Sequence, residues 1–347
     1  MHDQKLIKHL SNLSSHAALV IVTETKGHAS RHTGSKMVVF PDGTSRGTVG
    51  GGDLEMRAIT GAIEHIAKGT SGRIFAETLG EQAIGKDPIC GGTVSLAIFL
   101  VSDKTPFARA TEQLEKGKGV VIVYSYDGEH LGNVLAVIDT DKNAVYGDKD
   151  LCDDAMIQAV IASGAPAISS TGTLLYDPIL PQERLLILGG GHVGQALARF
   201  ADLLDFHICI GDSRQEFVTP DRFPAGAEIR FGDFADIVDA YPCDRSTYIV
   251  VVSPSHSSDL ACVRSVLKQE YRYAGFIGST RKVKMIQDQL IAEGFPKEKV
   301  LALNAPIGAD IGAETPEEIA VAIVAEMIAV RRNSTKSKDY IGKTVID

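Results

Sequence analysis

The sequence predicts a two-domain α/β protein, with a mixed sheet in its first half and a doubly wound parallel sheet in its second. Three observations predict it. The chain is 347 residues long, beyond the usual size of one domain. From residue 184 onward, strand-like and helix-like segments alternate at 184–188, 194–204, 206–210, 227–231, 247–253, 259–269, 273–277 and 281–292. Alternation of that kind implies parallel strands with helices on both faces. Finally, the apolar run Arg184–Leu188 ends in glycines at Gly189, Gly191 and Gly194, directly before a helix-forming run. A G-x-G-x-x-G between a strand and a helix is the turn of a Rossmann-like, dinucleotide-binding unit.

Each residue of that turn has an expected task. Gly189 permits the tight turn, Gly191 lets the backbone approach a pyrophosphate, and Gly194 lets the helix pack on the strand. The helix N-terminus then faces the ligand with unpaired N–H groups and the positive end of its dipole. Asp212 follows the next strand, about twenty residues on, where a carboxylate can accept from a ribose. It favours NAD over NADP, while the nearby Arg214 could instead accept a 2′-phosphate. His192 sits where the dipole disfavours its charged form; whether it faces a phosphate or solvent stays open. His256 and Asp259 are placed to form a hydrogen-bonded pair, structural before catalytic.

In the first half, residues 4–13 form an amphipathic helix with Leu6, Ile7, Leu10 and Leu13 on one side. Ala17–Glu24 is a strand, and residues 25–34 are a polar loop. Residues 36–40 and 45–49 flank Pro41-Asp42-Gly43, a turn sequence that makes them a hairpin. The hairpin runs into Gly50, Gly51 and Gly52, followed by a helix over residues 53–66. These contiguous glycines are no dinucleotide fingerprint. They either hold an anion on their N–H groups or simply bring the helix close to a sheet. Strands at 73–78 and 94–101 bracket Pro88-Ile-Cys-Gly-Gly92. Cys90 there is read either as an exposed thiol near a ligand or as a small buried hydrophobe. A helix at 106–115, strands at 120–126, 135–139 and 144–146, and a helix at 151–162 follow. The proline-punctuated stretch 173–181 leads to a domain boundary near residues 178–183. At the far end Thr315, Pro316 and Glu318 form a capping box for a helix to Val330, and residues 334–347 are read as a mobile tail.

Composition narrows the function. A net charge of −9 argues against nucleic-acid binding. Charges at Asp3, Lys5 and Lys8 break any signal-peptide core, and the apolar segment Ile319–Val330 is too short to span a bilayer. Five scattered cysteines without a C-x-x-C pair suggest reduced thiols, and a cytoplasmic location is expected.

Three stretches carry a resemblance: Gly34 to Glu55 with its hairpin and triple glycine, Ile89-Cys90-Gly91-Gly92, and the half running from Gly189–Gly194 through Gly278-Ser279 to Pro306–Ala320. In these the chain resembles the XdhC/CoxI family, accessory proteins for xanthine dehydrogenase and related molybdenum hydroxylases. The resemblance implies an XdhC-type domain over residues 1–180 and a Rossmann-like domain over residues 181–333. It implies binding of molybdopterin, the molybdenum cofactor, sulfuration with a cysteine desulfurase, and delivery to a xanthine dehydrogenase-type hydroxylase. A homodimer is expected, with no nucleic acid and no membrane among its partners. Gly50–Gly52 with Asp53 and Glu55, the cations Lys36 and Arg46, and Cys90-Gly91-Gly92 become the cofactor site. Cys90 becomes a candidate ligand of molybdenum, for which soft thiolates are suited. Where many relatives have a cysteine before the Leu-Glu pair, this chain has Asp53, which leaves Cys90 as the only motif cysteine. The second site, Gly189, Gly191, His192, Gly194, Asp212 and Arg214, would take NAD(P) or another nucleotide. A cofactor chaperone without turnover of its own is the leading reading. An NAD(P)-dependent oxidoreductase and a nucleotide-sensing regulator are the alternatives.

Overall fold

A computed structural model describes residues 3–26, 33–78, 92–254 and 256–332. The tail expected over residues 334–347 and most of the polar loop at 25–34 lie outside the described residues. The chain forms two compact units divided between Pro181 and Gln182.

The first unit opens with α1 (Asp3–Ser11), followed by strands β1 (Ala17–Lys26), β2 (Lys36–Val39) and β3 (Ser45–Gly47). Helix α2 (Gly52–Lys68), strands β4 (Gly72–Thr78) and β5 (Gly92–Val101), helix α3 (Thr105–Glu115) and β6 (Val120–Ser125) come next. Strands β7 (Val134–Asp139) and β8 (Ala144–Gly147), helix α4 (Asp154–Ser163), and strands β9 (Ala167–Ile168) and β10 (Leu174–Ile179) complete it. The strands make two five-stranded sheets, ordered β3-β2-β1-β5-β4 and β8-β7-β6-β10-β9. Every pairing is antiparallel, so the mixed sheet expected for this half is instead a pair of antiparallel ones. Hairpins join most neighbours, and α2 carries the chain from one edge of its sheet to the other, so no parallel crossover arises.

The β2–β3 hairpin shows how local chemistry sets register. Asp42 Oδ1 accepts from Thr44 N at 2.9 Å and Thr44 Oγ1 at 2.6 Å, while Gly43 takes a φ of +82°. Both sheets contribute to one core, shared with α1 and α3, in which the Phe99 and Tyr124 rings stack at 4.7 Å. Helix α2 packs Leu54, Ala58 and Ala62 on the other face of the first sheet. Helix α4 packs Ile157 and Val160 on the other face of the second. The proline-punctuated stretch that leads to the boundary is β10. Its Pro178 is tolerated because pairing with β9 stops at Tyr176, leaving no ladder on that edge to interrupt.

The second unit runs β11 (Arg184–Leu188), α5 (His192–Leu203), β12 (His207–Asp212), β13 (Glu228–Phe231), α6 (Phe234–Ala240), β14 (Thr247–Val251), α7 (His256–Val266) and β15 (Tyr273–Phe276). Helices α8 (Thr280–Ala292), α9 (Lys297–Leu301) and α10 (Pro316–Arg331) follow. Its parallel sheet has the order β13-β12-β11-β14-β15. Leu185 and Ile187 face α5 and α10, whereas Leu186 and Leu188 face α6, α7 and α8. Burial on both faces explains why these strands read as unbroken apolar runs. The capping box of α10 is formed as expected, with Thr315 Oγ1 accepting from Glu318 N and Glu318 accepting from Thr315 N. Strand order reverses between β11 and β14, which places the ligand crevice of such a sheet at their carboxyl ends.

Candidate functional site

The first glycine turn is built by backbone conformation. Gly50, Gly51 and Gly52 have φ values of +151°, +76° and +59°, a region L side chains rarely adopt. Gly51 is the N-cap of α2 and gives that helix no side-chain cap. Around Gly51 and Gly52 a side chain would meet no atom within 4 Å, so the turn faces open space. Its own chain already holds two of its donors. Glu55 Oε2 accepts from Gly51 N at 3.2 Å and from Thr48 Oγ1 at 2.5 Å, and Gly50 N donates to Thr48 Oγ1 at 3.3 Å. Asp53 is exposed beside it. The mouth of this turn is therefore lined by carboxylates.

The cations expected there are elsewhere. Lys36 is buried, with its ammonium 2.6 Å from Asp3 and 3.0 Å from the fully buried Asp177 of β10. Burial alone would push the Lys36 pKa down, but the two carboxylates outweigh it and raise it. Lys36 thus ties β2 to β10 and offers nothing to a ligand at the turn. Arg46 is exposed, reaches His9 Nε2 at 3.2 Å, and faces a shallow groove lined by Ser15, Phe40, Pro41 and Asp42. Cys90 and Gly91 lie outside the described residues, and Gly92 opens β5. Among the described cysteines, burial pushes the thiols of Cys152 and Cys243 up to about 11 and that of Cys209 to about 12, so none of these is poised as a thiolate. Among the described residues no group of three His, Cys, Asp or Glu could hold a metal ion.

The second glycine turn lies at the end of β11. A Cβ at Gly189 would stand 2.3 Å from Val252 O, one at Gly190 2.2 Å from Phe217 O, and one at Gly194 1.9 Å from Gly189 O. Only at Gly191, the N-cap of α5, would a side chain meet nothing within 4 Å. His192 is exposed in the first turn of that helix.

Asp212 departs from its expected task of holding a ribose. Its carboxylate is fully buried and already accepts from Gly190 N at 2.8 Å and from Arg214 N, Nε and Nη2 at 2.9 Å each. Four donors use the four lone-pair positions of a carboxylate, leaving none for a sugar. Burial alone would raise its pKa; the Arg214 fork and the two backbone donors outweigh burial and hold it below the ordinary carboxylate value. Arg214 is correspondingly neutralised and lies over the Phe217 ring, 3.8 Å from its centroid. A residue not singled out from the sequence, Arg222, donates from Nη2 to Gly190 O at 3.0 Å and also lies over the Phe217 ring, 5.2 Å from its centroid. A cation following an aromatic in the loop after Asp212 was the available signal. Asp259 pairs with Ser253 and Lys282; the side chain of His256, its expected partner, lies outside the described ones.

Comparison with known proteins agrees with this architecture. The description "XdhC Rossmann domain" matches residues 185–327, and "XdhC and CoxI family" matches residues 13–77. The chain belongs to the XdhC/CoxI family. Three relatives are each 24% identical across 91% of this chain. They are the Escherichia coli protein YqeB, a probable xanthine dehydrogenase subunit of Bacillus subtilis, and the Escherichia coli molybdenum cofactor insertion chaperone PaoD. The matched region spans 44% of YqeB, 93% of the Bacillus subtilis protein and 83% of PaoD. The crystal structure of a xanthine dehydrogenase from Bacillus halodurans has the same fold, with a TM-score of 0.78 at 22% identity over 98% of both chains. Among the described residues of this XdhC/CoxI chain, no helix is long and apolar enough to cross a membrane.

Proposed function

We propose that this XdhC/CoxI protein binds the molybdenum cofactor at the first glycine turn and passes it to a molybdenum hydroxylase of the xanthine dehydrogenase type. The observation that carries this reading is the open turn at Gly51–Gly52 walled by Asp53 and Glu55. Its chemistry suits one end of the cofactor better than the other. Carboxylates repel a phosphate but accept from the N–H groups along the edge of a pterin ring. With Lys36 committed to Asp3 and Asp177, no buried cation offsets them among the described residues. Asp53 and Glu55 would therefore hold the pterin edge, with the phosphate directed outward. The relative named as a molybdenum cofactor insertion chaperone supports the reading, since its match covers both units. Sulfuration with a cysteine desulfurase would fall to Cys90, the one cysteine of the family motifs, and assembly as a homodimer belongs to the same reading.

The test is pterin content. The full chain is purified from cells that make molybdopterin, then oxidised to release fluorescent pterin. Wild type should carry pterin. Asp53→Asn with Glu55→Gln should lose most of it while keeping its thermal unfolding midpoint within a few degrees. Wild-type protein free of pterin under these conditions would sink the proposal.

A further inference from the structure

Beside the second glycine turn stands a polar cluster that the cofactor reading does not use. Ser253 lies just past β14, is 6% exposed, and donates its hydroxyl to Asp259 Oδ1. Asp259, in the first turn of α7, is fully buried and pairs through Oδ2 with the ammonium of Lys282. Lys282 enters from the first turn of α8, where its N–H is capped by Ser279, and its side chain keeps 25% of its surface exposed.

The position of the cluster is functional ground. β11 and β14 are hydrogen-bonded neighbours on either side of the point where strand order reverses. A Cβ at Gly189 would stand 3.2 Å from Ser253 N, so the glycine turn and the start of the cluster lie side by side at the carboxyl ends of β11 and β14.

The donor count says what the cluster can recognise. The single hydroxyl proton of Ser253 is spent on Asp259, which leaves its oxygen as an acceptor. The ammonium of Lys282 has three N–H groups and is held by its ion pair with Asp259, which leaves donors. An acceptor and a donor thus sit side by side, both held by one buried carboxylate. Tying α7 and α8 to the sheet needs no such arrangement, because well-packed apolar side chains serve as well as a buried ion pair.

We propose that Ser253 and Lys282, positioned by Asp259, recognise the amide edge of a heterocyclic ligand whose phosphate lies over the Gly189–Gly191 turn. Ser253 accepts the amide N–H and Lys282 donates to the carbonyl. A nicotinamide dinucleotide and a pterin phosphate both present this chemistry, and the two are separable by experiment. This site is distinct from the Asp53–Glu55 turn.

Calorimetric titration of the full chain with NAD and with AMP is one arm; pterin content after purification from molybdopterin-producing cells is the other. If the ligand is a dinucleotide, Lys282→Met weakens NAD binding about tenfold or more, the loss of a charged hydrogen bond, and leaves AMP binding unchanged. Lys282→Arg restores part of it. If the ligand is a pterin, Lys282→Met lowers pterin content while Asp53 and Glu55 are intact. Ser253→Ala removes a single oxygen and should act in the same direction, so it decides the matter should Lys282→Met fail to fold. Unchanged NAD binding and unchanged pterin content in the folded variants overturn the proposal, as does wild type that binds no NAD and has a pterin content indifferent to Lys282 and Ser253. Wild type without pterin removes the reading of the first turn, whereas the NAD titration still judges this one.

Discussion

Gly191 and Gly194 sit three residues apart in one motif, yet they answer to different forces. Gly194 is where α5 touches the end of β11: an added Cβ would lie 1.9 Å from Gly189 O, and backbone cannot step aside cheaply. Gly191 has a φ of −67°, which any residue adopts, and open space around it. Gly194→Ala should therefore cost about 1–3 kcal/mol or more through overpacking, in spite of the better helix propensity of alanine. Gly191→Ala should cost less, about 0.5–1 kcal/mol, the loss of a favoured N-cap residue without any steric clash. Urea unfolding of the two variants checks this, and equal losses would mean that the turn is not packed as described. Gly51 is a third case, since its φ of +76° and ψ of 178° strain any L residue however open the surroundings.

Between elements, the pair that matters most is Lys36 of β2 with Asp177 of β10, because it joins the two antiparallel sheets inside their common core. Asp177 is buried, and burial first, followed by the approach of Asp3, pushes its pKa from the ordinary 3.8 up to about 6 against the pull of Lys36. A carboxyl whose pKa is raised on folding contributes stability that is fully present below its unfolded value of 3.8 and is lost as the pH climbs through about 6. That loss is on the order of 3 kcal/mol for a shift of this size. Subtracting the urea stability of Asp177→Asn from that of wild type at each pH isolates it: the difference should move against wild type between pH ~4 and pH ~7. Lys36→Met removes the cation and should cost about 3–5 kcal/mol at neutral pH, because Asp177 loses its buried partner and must take up a proton to stay in the core. A flat difference curve would show that Asp177 does not titrate in this window.

Across the whole molecule, what could be read from the chain was whatever repeats at short range. The parallel sheet declared itself because each strand is buried on both faces and each helix repeats its apolar stripe within a few turns. The capping box at Thr315–Glu318 and the Asp42 turn are local and were equally legible. Long-range pairing was not. Nothing near Lys36 announces Asp177, so a cation beside a glycine turn looked like a phosphate ligand when it is an internal strut. The saturation of Asp212 was in principle visible, since Arg214 is only two residues away, but it takes the geometry of a bidentate fork to show that no lone pair is left. Each of the core clusters lies wholly inside one unit, three before Pro181 and two after Gln182. Separate cores imply separate cooperative transitions. Scanning calorimetry should then resolve two endotherms, of which Lys36→Met lowers one and Gly194→Ala lowers the other. A single endotherm that both substitutions shift together would mean that the two units melt as one body.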